Sequence, residues 1–379
     1  MKRILILIDS LGCGGAEKSL ISLLPFLAAR NYEITLMVRN TGGLFERYVP
    51  DNVHLKQFPY TTSKLQALRH SISLRLPWNR KTHTAELYWQ NIGKYYPALR
   101  EKYDVAIAYH QGFPTFYIAN KVNAKKKICW INADISGVGY SAKFCNQFYT
   151  RYDRIMTVSD TLRKQVLYPE YVSDKNKITT CWDILNSSQI RTMALEKSIK
   201  VSSDNRIHFT TVGRLVPLKG FDLAIQAAQI LKDRNIDFIW HFVGGGGLYD
   251  KLKSMIDANG LTENVILEGE QLNPYPYIAA ADIYVQTSRV EGFGLTIGEA
   301  KILGKPIVST NFPVVYNQIT DGKNGLIVEM SAKAIADGIT RLVNDTVLRE
   351  ALAAAVGNEH NTTAETESNK VINIIESDL

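Results

Sequence analysis

Apolar residues in this chain gather into short continuous runs, and the stretches between them repeat at helical spacing. Residues 3–9 form a run suited to a buried strand. A glycine-rich turn, Leu11-Gly-Cys-Gly-Gly15, follows, and then an amphipathic stretch that predicts a helix over 16–29. Residues 33–39 read as the next strand, and further runs at 105–109, 127–132 and 154–159 are separated by enough chain for helices. The second half repeats the pattern, with strands expected at 207–212, 238–243, 265–268, 283–286, 306–309 and 326–328. Helices are expected there at 221–234, 248–259, 275–281 and 296–303. Strands apolar on both faces that alternate with helices imply parallel sheets covered on both sides.

A polar stretch containing Ser187, Ser188, Ser202, Ser203, Asp204 and Asn205 interrupts this pattern, so the domain boundary is expected near residue 200. The chain then reads as an N-terminal domain over 1–200, a second domain over 201–357 and a final helix over 358–379. That helix carries Val371, Ile372, Ile374 and Ile375, and the sequence gives no docking site for it. A length of 379 residues agrees with two cores rather than one. The expected fold class is α/β: two doubly wound domains facing a central cleft, with the ligand at the carboxyl ends of the strands.

Composition removes several function classes. With 45% apolar and 21% charged residues the chain is globular rather than disordered. Its first apolar run, Ile4 to Ile8, is too short for a signal-peptide core or a membrane span, so a cytoplasmic location is expected. Cys13, Cys129, Cys145 and Cys181 form no C-x-x-C pair and have no histidine cluster near them, so neither a disulfide scaffold nor a metal site is expected.

Charge is divided unequally. Residues 1–200 hold 29 Lys and Arg against 15 Asp and Glu, whereas residues 201–379 hold 15 against 22. Within the basic half, Leu65, Leu68, Ile72 and Leu76 recur at helical spacing among Lys64, Arg69, Arg75, Arg80 and Lys81, with Lys56 just upstream. Such a helix, ending in Pro77-Trp78, suits the anionic inner face of a plasma membrane, and equally suits packing on its own domain as a solvated helix. Nucleic acid is not expected, because no helix-turn-helix, zinc-finger or aromatic-basic pattern accompanies the charge.

Four segments carry candidate chemistry. Gly12, Gly14 and Gly15 lie between a strand and a helix start, where backbone amides can approach a substrate. As a dinucleotide fingerprint they fail, since Glu17 stands where the third glycine belongs and the second strand ends in Arg39-Asn40 without an acidic residue. Gly213-Arg214 and Lys219-Gly220 put two cations on one loop after a strand, suited to a diphosphate and equally to a solvated loop. Gly244 opens a second glycine loop. Finally, Glu291-Gly292-Phe293-Gly294-Leu295 leads through Thr296 to Glu299. The amides after Glu291 can face an anion and Glu299 can accept sugar hydroxyls, although Thr296 and Glu299 also match a capping box. A glycosidase carboxylate pair fits less well, because such pairs flank the scissile bond from both sides.

Glu291 to Glu299 resembles the E-x7-E motif of retaining glycosyltransferases of family 4. The likeness extends to Gly14-Gly15-Ala16-Glu17, Val158-Ser159, Asn186, Gly213-Arg214, Lys219-Gly220, Ala281-Asp282, Gly304-Lys305-Pro306 and Asn324-Gly325. It covers nearly the whole chain and is most specific in the second half. The resemblance implies a GT-B fold, a nucleotide diphosphate sugar held mainly by the second domain, a saccharide or lipid-linked saccharide acceptor on the first, no cofactor and no metal. Among nucleotides UDP is slightly favoured. Carried onto this chain, Arg214 and Lys219 hold the diphosphate, Glu299 the ribose, and Glu291 with the amides of Gly292 to Leu295 the sugar and phosphate. Gln271 and Leu272 reach the base. The family's usual histidine after the strand at 127–132 is replaced by Asn132, leaving Asn132 or His110 beside the reacting sugar. A nucleotide-sugar epimerase, or a silent nucleotide-sugar binding subunit of a polysaccharide-assembly complex, stays open as an alternative.

Overall fold

The structure is a computed structural model that describes every residue except 13, 133–138, 167–171, 173, 197–205, 358–362 and 378–379. It divides into two compact units, Met1–Ile184 with Glu365–Leu379, and Leu185–Ala364. In the first unit the strands are β1 (Lys2–Ile8), β2 (Tyr32–Val38), β3 (Val53–Gln57), β4 (Lys102–Ala108), β5 (Asn123–Ile131), β6 (Arg154–Thr157) and β7 (Ile178–Thr180). They form one parallel sheet in the order β3-β2-β1-β4-β5-β6-β7. The second unit has β8 (Ile207–Val212), β9 (Phe238–Val243), β10 (Val265–Gly269), β11 (Ile283–Gln286), β12 (Ile307–Thr310) and β13 (Leu326–Val328). Their order, β10-β9-β8-β11-β12-β13, repeats the doubly wound topology, again with every pair parallel.

The central strands are the apolar runs of the sequence because both their faces are covered. Ile4 to Leu7 on β1 and Phe238, Trp240 and Phe242 on β9 are fully buried, and each such side chain contributes roughly 1.5–3 kcal/mol of burial. Each sheet carries its own core, one around Leu5, Phe113, Phe116 and Tyr149, the other around Phe209, Phe221, Trp240 and Leu231.

The expected boundary near residue 200 lies in 197–205, outside the described residues. The division between units falls earlier, between Ile184 and Leu185. The polar residues after Asn186 form the helix Ser187–Leu195, capped by the Asn186 side chain, and Asn273 of the second unit donates to the Met193 carbonyl at 2.6 Å. The final helix, Thr363–Glu376, belongs to the first unit from Glu365 onward. Its Val371 and Ile375 are buried, Glu367 accepts from the Trp182 amide at 3.0 Å, and Glu376 pairs with Lys2 at 2.7 Å.

Where the chain leaves β7, Asp183 lies beside Ser19 of the first helix, and its Oδ1 has no hydrogen-bond partner among the described residues. Loss of hydration pushes its pKa up to about 7, against the smaller opposing effect of the Ser19 hydroxyl. Between an unfolded pKa of about 4 and this folded value, the folded state holds a proton that the unfolded chain has lost. This contribution to stability is therefore complete below about pH 4 and is lost as pH rises to about 7, a span worth roughly 2–4 kcal/mol. Denaturant titrations between pH 4.5 and 8 are expected to show that fall in the native chain and a flatter profile in Asp183→Asn.

Candidate active site

In the second unit, three loops meet at the carboxyl ends of β8, β9 and β11. The loop after β8 runs over 213–220 and is held against the loop after β11 by close backbone approach. Gly220 has φ +67°, and a Cβ there would stand 2.0 Å from the Thr287 carbonyl oxygen. Gly244, at the end of β9, has φ +148° and would place a Cβ 1.9 Å from the Gly213 carbonyl oxygen. Only glycine satisfies both the dihedral and the space at these two positions. Arg289 clamps the same two loops by donating to both oxygens of Asp222, at 2.8 and 2.7 Å, and to the Pro217 carbonyl at 2.7 Å. The guanidinium holds the Asp222 carboxyl below the usual carboxylate range.

This framework places Lys219 on Glu291. The ammonium lies 2.6 Å from both carboxylate oxygens, with the Lys219 stem along the face of Gly213. The Glu291 side chain is 8% exposed and accepts two more hydrogen bonds, from Ser288 Oγ at 2.6 Å and Gln286 Nε2 at 2.9 Å. Gln286 is itself oriented, because its Oε1 accepts from Tyr284 at 2.7 Å and Thr296 at 2.9 Å, which turns its amide nitrogen toward Glu291. Arg214, by contrast, is exposed, and among the described residues no ion pair to its side chain is found.

The helix after Glu291 is Leu295–Ile302, and its N-cap is Gly294, at φ +89° and with no side-chain cap. The capping-box arrangement of Thr296 with Glu299 is therefore absent: Thr296 donates to Gln286, while Glu299, fully buried, accepts from Tyr275 OH at 3.2 Å. The uncapped first-turn amides leave partial positive charge at this end of the helix. Gln318 fixes the turn from behind by donating to the carbonyls of Phe293, at 2.5 Å, and Gly294, at 3.2 Å. Gly292 lies in the same turn. Gln271 and Leu272 follow β10, Gln271 tied to the Glu268 carbonyl at 2.7 Å and Leu272 exposed.

The remaining predicted residues lie in the first unit. Gly14 is the N-cap of the helix Gly15–Ala28, again without a side-chain cap, and Glu17 reaches back over it. At the carboxyl ends of β1, β2 and β4, Asp9 bonds Arg39 at 2.7 Å and faces His110 Nδ1 at 3.6 Å. Burial alone would lower the His110 pKa, but the Asp9 carboxylate, with help from Glu17, raises it overall. Asn132 stands after β5, its Nδ2 donating to the Tyr109 carbonyl at 3.0 Å and its backbone N–H to the Gln111 side-chain Oε1 at 2.7 Å. Asp9, Arg39, Gln286, Ser288 and Arg289 were not singled out from the sequence. For Asp9 and Arg39 the signal was present, since each directly follows a strand.

Among the described residues no group of three or more His, Cys, Asp or Glu is placed to hold a metal ion. No helix among them is long and apolar enough to cross a membrane.

Residues 194–358 match the family model of group 1 glycosyl transferases. The poly(ribitol-phosphate) alpha-N-acetylglucosaminyltransferase of Staphylococcus aureus is 32% identical over 177 residues, 44% of this chain and 35% of that one. A GDP-mannose-dependent alpha-(1-6)-phosphatidylinositol monomannoside mannosyltransferase of Mycolicibacterium smegmatis is 32% identical over 157 residues, covering 38% and 40%. The chain spans between 35% and 53% of the length of the first three curated relatives it matches. Among solved structures, Anabaena HepE in complex with UDP and glucose superposes with a TM-score of 0.74 over 99% of both chains at 16% identity. WaaG, a glycosyltransferase involved in lipopolysaccharide biosynthesis, superposes at 0.65 over 99% of this chain and all of its own, also at 16% identity. Residues 194–358 thus belong to the group 1 glycosyl transferase family, in a chain with the GT-B fold.

Proposed function

We propose that the protein is a retaining, metal-independent glycosyltransferase of polysaccharide or cell-envelope synthesis. It moves a hexose from a nucleotide diphosphate sugar to a saccharide or lipid-linked saccharide, and its first unit contacts an anionic membrane. The observation that carries this reading is the Lys219–Glu291 pair beside an exposed Arg214, at the carboxyl ends of β8 and β11 and within the family segment. When the anomeric C–O bond breaks, negative charge moves onto the departing diphosphate. Cations already in place favour that state over the ground state. The acceptor oxygen forms the new bond on the face the phosphate leaves, and its proton passes to the leaving phosphate oxygen. Glu291 and the amides of Gly292 to Leu295 hold the sugar and its phosphate, Glu299 the ribose, and Gln271 and Leu272 the base. Asn132 or His110 serves the reacting sugar. UDP is the nucleotide, in line with the UDP bound to HepE.

Thermal melts with UDP, GDP, ADP and CDP, with and without EDTA, test the donor half of this reading. A ligand at 100 times its Kd stabilises by about 2.7 kcal/mol, so UDP is expected to raise the midpoint equally in both conditions. No shift with any nucleotide overturns the reading. Turnover of UDP-sugars then separates the alternatives: an epimerase converts donor without acceptor, and a silent subunit binds donor without converting it.

A further inference from the structure

The helix Lys64–Arg75 holds three of its apolar side chains outward. Gln66, His70 and Ser73, spaced i, i+4, i+7, are the half-buried positions of one face, and the His70 ring meets Tyr88 edge-on at 5.5 Å. On the other face, Leu65, Leu68 and Ile72 are 58%, 58% and 53% exposed. The next turn, Pro77–Asn79, holds Trp78 outward at 73% exposure, and Asn79 fixes that turn by donating to the carbonyl and hydroxyl of Ser73 at 2.8 and 3.0 Å. A helix of a soluble domain normally turns its apolar residues inward, and contiguous exposed apolar side chains mark an interaction surface.

Charge identifies the occupant. Lys64, Arg69 and Arg75 border the stripe, Arg80 and Lys81 follow Trp78, and all five are exposed. Between Asp51 and Glu86 the sequence contains no acidic residue. A second copy of the same face would bring these cations against each other, whereas an anionic bilayer offers phosphates to the cations and acyl chain to the leucines.

We propose that the helix Lys64–Arg75 and the Pro77–Asn79 turn form the docking surface of the first unit for an anionic lipid bilayer. Leu65, Leu68, Ile72 and Trp78 enter the boundary between headgroups and acyl chains, and the flanking cations meet the lipid phosphates. The inference rests on the membrane contact of the proposed function but needs neither donor nor acceptor. Vesicle binding by the full chain, without substrates, can therefore fail or succeed independently of sugar transfer.

The test is flotation with vesicles of phosphatidylcholine alone or with 30% phosphatidylglycerol, alongside sedimentation velocity of the free protein. The native chain is expected to bind the anionic vesicles at least tenfold more tightly than the neutral ones. Leu68→Ser with Ile72→Ser is expected to weaken that binding at least tenfold at unchanged charge, while Arg69→Gln with Arg75→Gln weakens it on the order of fivefold per cation removed. Quenching of Trp fluorescence by brominated lipid is expected in the native chain and largely lost in Trp78→Phe, a change small enough to leave the fold intact if the serine variants do not fold. Equal binding to both vesicles, folded variants that bind like the native chain, or a dimer that Leu68→Ser with Ile72→Ser dissolves would each overturn the proposal.

Discussion

Lys219→Met is expected to lower kcat for sugar transfer by about 10²–10³, the effect of removing one preorganised group from the site where transition-state charge develops. Methionine keeps an apolar stem along Gly213 and deletes only the ammonium, so the loop over 213–220, held by Arg289 and by the Gly220 approach, retains its course. What remains at the site is the Glu291 carboxylate with donors from Ser288 and Gln286. A nearly buried negative charge now faces the incoming diphosphate. Donor KM is therefore expected to rise together with the fall in kcat, and Lys219→Arg to recover part of the rate, since it keeps the charge but not the compact placement between both carboxylate oxygens. Steady-state kinetics with varied donor check this result, alongside a circular dichroism spectrum that shows Lys219→Met folded, with a midpoint lowered by the unpaired, nearly buried carboxylate. A variant with native kcat would remove Lys219 from the donor site.

Much of the second unit could be read locally. β8, β9 and β11 lie at or near the centre of their sheet, so both faces are apolar and the runs are continuous. Glu291 and Glu299 sit across one turn, within the reach of sequence spacing. Edge and long-range features were not legible. β3 pairs on one side only and alternates buried Val53 with exposed His54 and Lys56, so it lacks the continuous run of a central strand. The short edge strand β7 was missed for the same reason. Arg289 was not singled out, because its partner Asp222 lies 67 positions away and becomes a neighbour only when β8 and β11 pair. The docking of the Thr363–Glu376 helix depends on Trp182 and Lys2, which no local pattern connects to it. The apolar residues of the Lys64–Arg75 helix were visible as a stripe, but the side on which that stripe lies depends on the packing of His70 against Tyr88 and Asn91.

Glu291→Gln is expected to cost as much in rate as Lys219→Met and also to destabilise the second unit. All the side chains bonded to the Glu291 carboxylate are donors: the Lys219 ammonium, the Ser288 hydroxyl and the Gln286 amide. Glutamine puts an amide NH₂ against the Lys219 ammonium and the Gln286 amide, with the Ser288 hydroxyl, which already accepts from Gln286, as the one side chain among the three able to accept, and a buried donor left unsatisfied costs about 1–3 kcal/mol. The thermal midpoint should therefore fall, and kcat should drop by about 10² or more, because Lys219 has lost the carboxylate that fixes its position. The two residues then act as one unit. The double variant Lys219→Met with Glu291→Gln is expected to be little slower than the worse single variant, with a coupling energy of about 1–3 kcal/mol in kcat/KM. It should also regain part of the lost thermal stability, since the ammonium that needed the carboxylate is gone. Fully additive losses in rate and stability would mean that the 2.6 Å pair is incidental to the chemistry, and that Lys219 and Glu291 meet the donor separately.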